Sequence, residues 1–347
     1  MQKIKFLFVF FIGFSTFAQR ELPKDKSFYS VLIGFYNLEN LFDTINDPEK
    51  NDEEFLPEGA NKWTSARYLE KQGNMARVIA DIGLEASPDG VAILGVSEIE
   101  NKLVLENLVK QKAIANRNYQ IVHYDSPDQR GVDVGLLYNP KYFKVTNSKS
   151  YTLKIDNKPD FYTRDQLLVS GLLDGEEVHF IVGHWPSRRG GEKRSEPLRI
   201  EAAKLSRHIV DSLILINPDA KVIVMGDLND DPTNQSIKKH LNSTGNIEQV
   251  HGNKMYNPMY DLHMKGIGTL AHRDVWGIFD QTILTQAWIK NDYTSYQYYT
   301  AKIFNKPYLM QQDGNFKGYP FRTFSFGQYV GGFSDHFPVY CVFLKEK

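Results

Sequence analysis

The chain has one cysteine, Cys341, in 347 residues. That excludes an internal disulfide framework and leaves any metal site without a cluster of thiolate ligands. A chain of this length can hold its core without cross-links. The formal net charge is −1, so no global basic field recruits nucleic acid, and any such binding requires a local patch. Internal repeats, low-complexity tracts and an interdomain linker are all missing, which argues for one domain over residues 28–347. What is present is ordinary for a globular protein: 41% hydrophobic and 24% charged residues, with 13% aromatics.

The N-terminus has the form of a secretory signal. Lys3 and Lys5 precede an apolar run from Phe6 to Phe14, and Thr16-Phe17-Ala18 places small residues for a cut before Gln19. The run is short of the ~20 residues needed to span a bilayer; an uncleaved anchor is the alternative reading. Cleavage after residue 18 removes Lys3 and Lys5 and takes the formal charge from −1 to −3. The expected destination is periplasmic or extracellular, with no stable membrane anchor and a monomeric chain.

Strand patterns recur along the mature chain: Tyr29–Tyr36, Val91–Val96, Tyr119–Tyr124, Gly131–Tyr138 and Phe337–Phe343. Residues 165–173 and 177–183 read as a hairpin about Asp174-Gly175. Thr64 caps a helix with Tyr68, Leu69, Met75, Val78, Ile79 and Ile82 on one side. Leu198, Ala202, Leu205, Ile209, Leu213 and Ile216 form the apolar stripe of the clearest helix. A short helix is expected over Ser236–Leu241. An aromatic-rich segment, about 285–330, reads either as a stacking platform or as a loop pinned by its aromatics onto its own domain.

The most informative stretch is Val222–Pro232. Four apolar residues make a buried strand that ends at Gly226, followed by Asp227-Leu228-Asn229 and the turn signal Asp231-Pro232. Asp227 and Asn229 lie two apart and share a side of an extended chain. Other strands also end in polar groups. Asn37 and Glu39 follow the first strand, Glu98 the second and His184 the hairpin, while Asp335 and His336 precede the last. Each has a bland alternative: an Asx-turn for Asn37, a helix first-turn carboxylate for Glu98, a structural role for His184. Asp133 is a charge inside an apolar strand and so needs a partner. Collected at one sheet mouth, these groups suit phosphodiester hydrolysis, which needs a cation, an activated water and charge neutralisation at phosphorus. Carboxylate ligands suit Mg²⁺, Mn²⁺ or Ca²⁺.

Several segments together resemble the endonuclease/exonuclease/phosphatase superfamily. They are Phe35–Asn40, Gly95–Glu98, Arg130–Tyr138, His184–Arg188, Gly226–Asn229, Phe279–Gln281 and Ser334–Pro338, in the family's order. The resemblance is strongest to secreted nuclease-like members from bacteria. It implies an α/β fold, a four-layer α/β sandwich with two packed mixed β-sheets flanked by helices. It also implies roles. Glu98 is the main metal ligand, aided by Glu39 and Asp335, and Asn37 orients that ligand and the phosphate. Asp227 positions or deprotonates the water, with Asn229 steering it. His336 stabilises the pentacovalent phosphate, oriented by Asp280. His184 lies near the leaving group, with Asp133 as its possible carboxylate partner. Arg130 and Arg188 are expected to face phosphate or substrate. Gln281 departs from the tyrosine or histidine many members carry, and outside Phe279–Gln281 residues 251–329 have no alignable counterpart.

The expected activity is that of a divalent-metal-dependent phosphodiesterase on nucleic acid, an endonuclease on DNA. Arg188-Arg189 and Lys193-Arg194 beside His184 fit phosphate contacts; a solvated loop is their plainer reading. Alternatives are a phospholipid or phosphorylated-sugar phosphodiesterase or phosphatase with the same chemistry, and a catalytically inactive binding protein.

Overall fold

A computed structural model describes Leu22 and residues 25–347. The signal segment read at 1–18 lies outside the described residues. In chain order, β1 spans Phe28–Leu41, β2 Ile93–Ile99, β3 Gln120–His123, β4 Asp133–Tyr138, β5 Phe143–Tyr151 and β6 Gln166–Leu173. Next come β7 Glu176–His184, β8 Lys221–Asp227, β9 Ser243–Thr244, β10 Met255–Tyr256, β11 Leu270–His272 and β12 Val275–Gly277. The last are β13 Asp280–Leu284, β14 Gln297–Ile303, β15 Phe324–Ser325, β16 Gln328–Tyr329 and β17 Val339–Glu346. The α-helices are α1 Ser65–Asp81, α2 Lys102–Val109, α3 Glu192–Ile216 and α4 Tyr260–Met264.

Two mixed sheets result. One has the order β14-β17-β1-β2-β4-β3, the other β5-β6-β7-β8-β13-β10-β9. Period-2 alternation divides each central strand between two cores. In β1, Val31, Ile33 and Phe35 pack between the sheets. Leu32, Tyr36 and Leu38 face outward into a core shared with α1 and α2. A third core lies between the second sheet and α3. The layers are therefore helix, sheet, sheet and helix.

The helices follow their sequence signals with instructive exceptions. The Asn101 side chain accepts from Val104 N–H at 3.1 Å and caps α2. This leaves Glu98 in β2, outside the helix, and removes the first-turn reading. On α1, Leu69 is 60% exposed, whereas Lys71 and Gln72 are buried. Gln72 donates to Val104 O at 3.0 Å, and Lys71 donates to Thr323 Oγ1 at 2.6 Å. On α3, Ala202 and Ile209 are buried but Ile216 is 83% exposed, because the terminal turn has no layer packed over it. The short helix is one turn of π-helix, Ser236–His240. The aromatic-rich segment is partly integral to the sandwich: β14 pairs with β17 as an edge strand, and Tyr293, Tyr296, Tyr298 and Phe304 are buried. No described helix is long and apolar enough to cross a membrane.

Candidate active site

The site forms where the parallel pairs β1/β2 and β7/β8 end side by side. In the second sheet, Asp227 pairs in register with His184 of β7 on one side and with Asp280 of β13 on the other. Close approach there demands glycine: a Cβ on Gly226 would meet Gly183 O at 2.0 Å. In the first sheet the register breaks between Asn37 and Leu41 of β1 and between Ser97 and Ile99 of β2. Glu39, Asn40 and Glu98 there adopt left-handed backbone conformations, with φ of 47°, 49° and 57°. Such bulges re-aim side chains, and here they turn the strand ends toward the opposite sheet.

Asn37 bridges the sheets. Its Nδ2 donates to Glu98 Oε1 at 3.2 Å and to Asp227 Oδ2 at 3.1 Å. Its Oδ1 accepts from Glu39 N–H at 2.9 Å. Glu98 Oε2 accepts from Asn40 N–H at 3.0 Å. Asn229 donates its backbone N–H to Asp227 Oδ1 at 3.0 Å, while its side-chain Nδ2 donates to Trp185 O at 3.0 Å. Asn229 therefore fixes Asp227 and the His184-Trp185 turn at once. Burial pushes Asp227 up to about 7, a shift opposed by His336 and reinforced by the negative charges of Asp280 and Glu98.

The two histidines differ sharply. His336 Nδ1 donates to Asp280 Oδ2 at 2.7 Å, and its Nε2 lies 3.8 Å from Asp227 Oδ2. Burial disfavours the imidazolium, but Asp280 and Asp227 outweigh it and hold His336 well above the usual range. Ser334 Oγ, which donates to Asn37 O at 2.7 Å, accepts from His336 N–H and seats its loop. His184 Nε2 lies 3.6 Å from Asp227 Oδ2 and 3.8 Å from Glu98 Oε1. Burial, aided by Arg164 and Arg130, holds His184 well below the usual range, so its ring is neutral. Its buried Nδ1 has no hydrogen-bond partner among the described residues.

Asp133 is not the partner of His184. It sits on β4 and pairs with His123 Nε2 at 2.9 Å, and also accepts from the Ser126 backbone and hydroxyl. His123 was the signal for this, since antiparallel β3 and β4 bring the two side chains together. Beneath His184 lies Arg164 instead, missed in the sequence because it precedes a strand in a stretch without pattern. Its Nε donates to His184 O at 3.1 Å and its Nη1 to Asp128 Oδ2 at 3.2 Å.

Glu39 and Asp335, expected beside Glu98, face a second cationic group. Arg322 donates from Nε to Glu39 Oε1 at 3.2 Å and from Nη2 to Asp335 Oδ2 at 3.0 Å. Thr323 N–H donates to Glu39 Oε2 at 2.7 Å, and Lys71 Nζ lies 3.8 Å from the same oxygen. Burial raises Glu39, with Lys71 and Arg322 opposing.

Arg188 is committed elsewhere than to substrate: it bonds Asn229 O, Asp230, Asp231 and Asn234 and lies over the Phe279 ring. Together with Arg199, 2.7 Å from buried Asp230, it braces the turn that follows Asp227. Gln281 has a similar structural role, accepting from Asn257 and donating to Asp230 O. Arg130, half exposed beside Asp128, lines a groove of about 510 Å³ with Lys158, Arg189 and Arg194.

The donor set fits a divalent cation. Glu98, His184 and Asp227 converge, with their ligating atoms within 4.8 Å of one another; in the neighbouring trio of Asp227, Asp280 and His336 the charged imidazolium takes the place of a cation. No lysine or arginine among the described residues lies within 4.0 Å of the Glu98 or Asp227 carboxylates, and Asp280 Oδ1 is buried without a partner. Crowded carboxylates lacking a cationic side chain are what such an ion neutralises.

A search of curated protein sequences finds no match. An endonuclease/exonuclease/phosphatase family protein from Bacteroides thetaiotaomicron superposes with a TM-score of 0.55 at 17% identity, over 92% of this chain and 97% of that one. The mannosyl-6-phosphatase of the same organism gives 0.52 at 17%, over 90% and 99%. D. rerio TDP2 complexed with a single-strand DNA product gives 0.52 at 15%, over 90% and 98%. These likenesses show the fold. A family profile covers residues 32–345, nearly the whole described chain, and the protein belongs to the endonuclease/exonuclease/phosphatase family.

Proposed function

We propose that this chain is an exported, divalent-metal-dependent phosphodiesterase that cleaves nucleic acid, with DNA as the substrate and endonucleolytic cutting as the mode. The observation that carries the choice of a polymer is the basic groove beside His184. Arg130, Lys158, Arg189 and Arg194 line it against Asp128. A groove of that sign next to the scissile position suits successive phosphates of one strand.

In this reading Glu98, with Asp227 and the neutral His184, holds one cation, Mg²⁺ or Mn²⁺. The bound cation supplies charge neutralisation at phosphorus. Asp227 accepts a proton from the attacking water, and Asn229 N–H holds the accepting carboxylate in place; as the water oxygen bonds to phosphorus, the P–O bond to the leaving sugar oxygen breaks and that oxygen takes a proton from solvent. His336, charged and fixed by Asp280, donates to a phosphoryl oxygen as negative charge builds there. Asn37 keeps Glu98 and Asp227 in fixed relation across the sheets.

A second reading has its own support. Phe316, Tyr319 and Phe326 line a pocket of about 380 Å³ with Arg322, and the Phe326 side chain is 87% exposed. A single phosphorylated sugar would fit such a site, and the mannosyl-6-phosphatase shares the fold.

The test is nicking of supercoiled plasmid by the purified mature chain, with Mg²⁺ or Mn²⁺ and then with excess chelator. Metal-dependent conversion to open circle is expected. Release of phosphate from sugar phosphates, with plasmid left intact, would replace the nucleic-acid reading by the second one.

A further inference from the structure

The Arg322 guanidinium joins two carboxylates that come from opposite ends of the chain. Glu39 lies at the bulge of β1, and Asp335 directly precedes His336. The distances are 3.2 Å and 3.0 Å. The bridge is built from behind as well. Lys71 donates to Thr323 Oγ1 at 2.6 Å and to Phe333 O, and Thr323 N–H holds Glu39 Oε2. The backbone on which Arg322 sits is thus pinned to the same carboxylate that the side chain grips.

This arrangement touches the reacting groups. Asp335 Oδ1 lies 4.0 Å from His336 Nε2, itself 3.8 Å from Asp227 Oδ2. Arg322 nonetheless keeps half its side chain exposed, where it borders the pocket lined by Phe316, Tyr319 and Phe326, and its Nη1 has no hydrogen-bond partner among the described residues. Glu39, Glu98, Asp227, Asp280 and Asp335 face Lys71, Arg322 and His336. With each in its charged form, five negative charges meet three positive ones. One divalent cation neutralises the remainder; two would leave the site positive before substrate arrives.

We infer that Arg322 is a resident cation occupying the Glu39–Asp335 half of the cleft, so that the site takes one divalent ion and presents the open Nη1 of Arg322 to a phosphate oxygen of the substrate. This deepens the metal-dependent reading and rests on it. The planar guanidinium suits both functions, because its fork grips two carboxylates while a further N–H remains for phosphate. A lysine ammonium cannot reproduce that geometry.

The experiment is calorimetric titration of the full mature chain with Mn²⁺ alone, paired with Mn²⁺ electron paramagnetic resonance at saturation. The wild type should bind one ion and give an uncoupled spectrum. Arg322→Ala should bind two, because Glu39 and Asp335 lose their shared cation. Arg322→Met, which keeps the apolar stem, is read in parallel with thermal melting of both variants. In turnover, Arg322→Ala should lower kcat/KM by about 10–100-fold, the scale of one charge-assisted hydrogen bond, and Arg322→Lys should restore only part of it. Two ions in the wild type, or an exchange-coupled spectrum, would overturn the inference and leave metal dependence standing. A folded variant that still binds one ion would also overturn it. A wild type that binds no Mn²⁺ would refute the metal-dependent reading itself.

Discussion

On one side of the cleft, Glu98 and Asp227 face each other across Asn37, and no described lysine or arginine comes within 4.0 Å of either. On the other side, Glu39 and Asp335 share Arg322, with Lys71 behind them. The residue types are the same and the neutralising groups are not. Buried carboxylates need a compensating charge. Where an arginine and a lysine supply it, the carboxylates serve as struts; where only His336 faces them, they can hold an ion. The histidines repeat the contrast. His336 has Asp280 and is held charged, while His184 has no carboxylate on Nδ1 and is held neutral.

The sharpest way to break this division is to disarm the ion-accepting side. Asp227→Asn and His336→Ala should each reduce turnover about 10²–10⁴-fold while the fold is retained, His336→Ala with a lower melting temperature because Asp280 loses its partner. Near wild-type rates in either variant would remove that residue from the chemistry.

Stability against pH sharpens the same contrast. Asp227 is raised to about 7 and Glu100, by burial, to about 8, while His336 is held well above its usual range. Each group, and Glu39 with them at about 7, therefore holds more proton in the folded chain than in the unfolded one as pH rises from about 6.5 to about 8. These carboxyls and His336 make stability fall across that window. Lys71, lowered by burial to about 8, opposes them toward its upper end, and His184, lowered by burial, opposes them toward its lower end. Melting with chelator should thus show a lower Tm at pH 8 than at pH 6.5, and Mn²⁺ should reduce the drop by favouring ionised Asp227. A rising Tm over that interval would contradict the electrostatic assignment.

The basic groove gives a smaller effect. Replacing Arg189 and Arg194 by alanine should raise KM for DNA, leave kcat near its starting value and lessen the salt dependence by about two phosphate contacts. An unchanged salt slope would mean the two arginines are merely solvated.

The smallest effect on activity is expected from Asp133→Asn. Loss of the His123 and Ser126 contacts should cost about 1–3 kcal/mol in denaturant unfolding, with turnover unaltered. A large loss of turnover at unchanged stability would instead return Asp133 to the chemistry of His184.

Much of this architecture is legible because polar residues ending apolar strands are a local signal. Asn37, Glu98, His184 and Asp227 follow buried runs, and the sheets do bring them to one mouth. The layered fold follows from alternation in β1 and from the caps and stripes of the helices. The supporting groups are not legible for a physical reason. Lys71 occupies a helix position that periodicity assigns to no site, and its partners Thr323 and Phe333 lie at the far end of the chain. Arg322 sits in a stretch crowded with aromatics and free of pattern. His123 and Arg164 act only through partners that the strand pairing selects. Charge compensation is a property of the assembled cleft, so a strand-end carboxylate looks the same in sequence whether a guanidinium or an ion will neutralise it.

The most direct measurement compares Mn²⁺ affinity in Glu98→Gln and Glu39→Gln by calorimetry, with folding of both checked by circular dichroism. The division described here predicts that Glu98→Gln weakens binding by at least about 100-fold, the upper scale for perturbing a site's ligand environment, while Glu39→Gln stays within a few-fold of wild type. Equal losses in the two variants would contradict it, because both halves of the cleft would then be holding the ion.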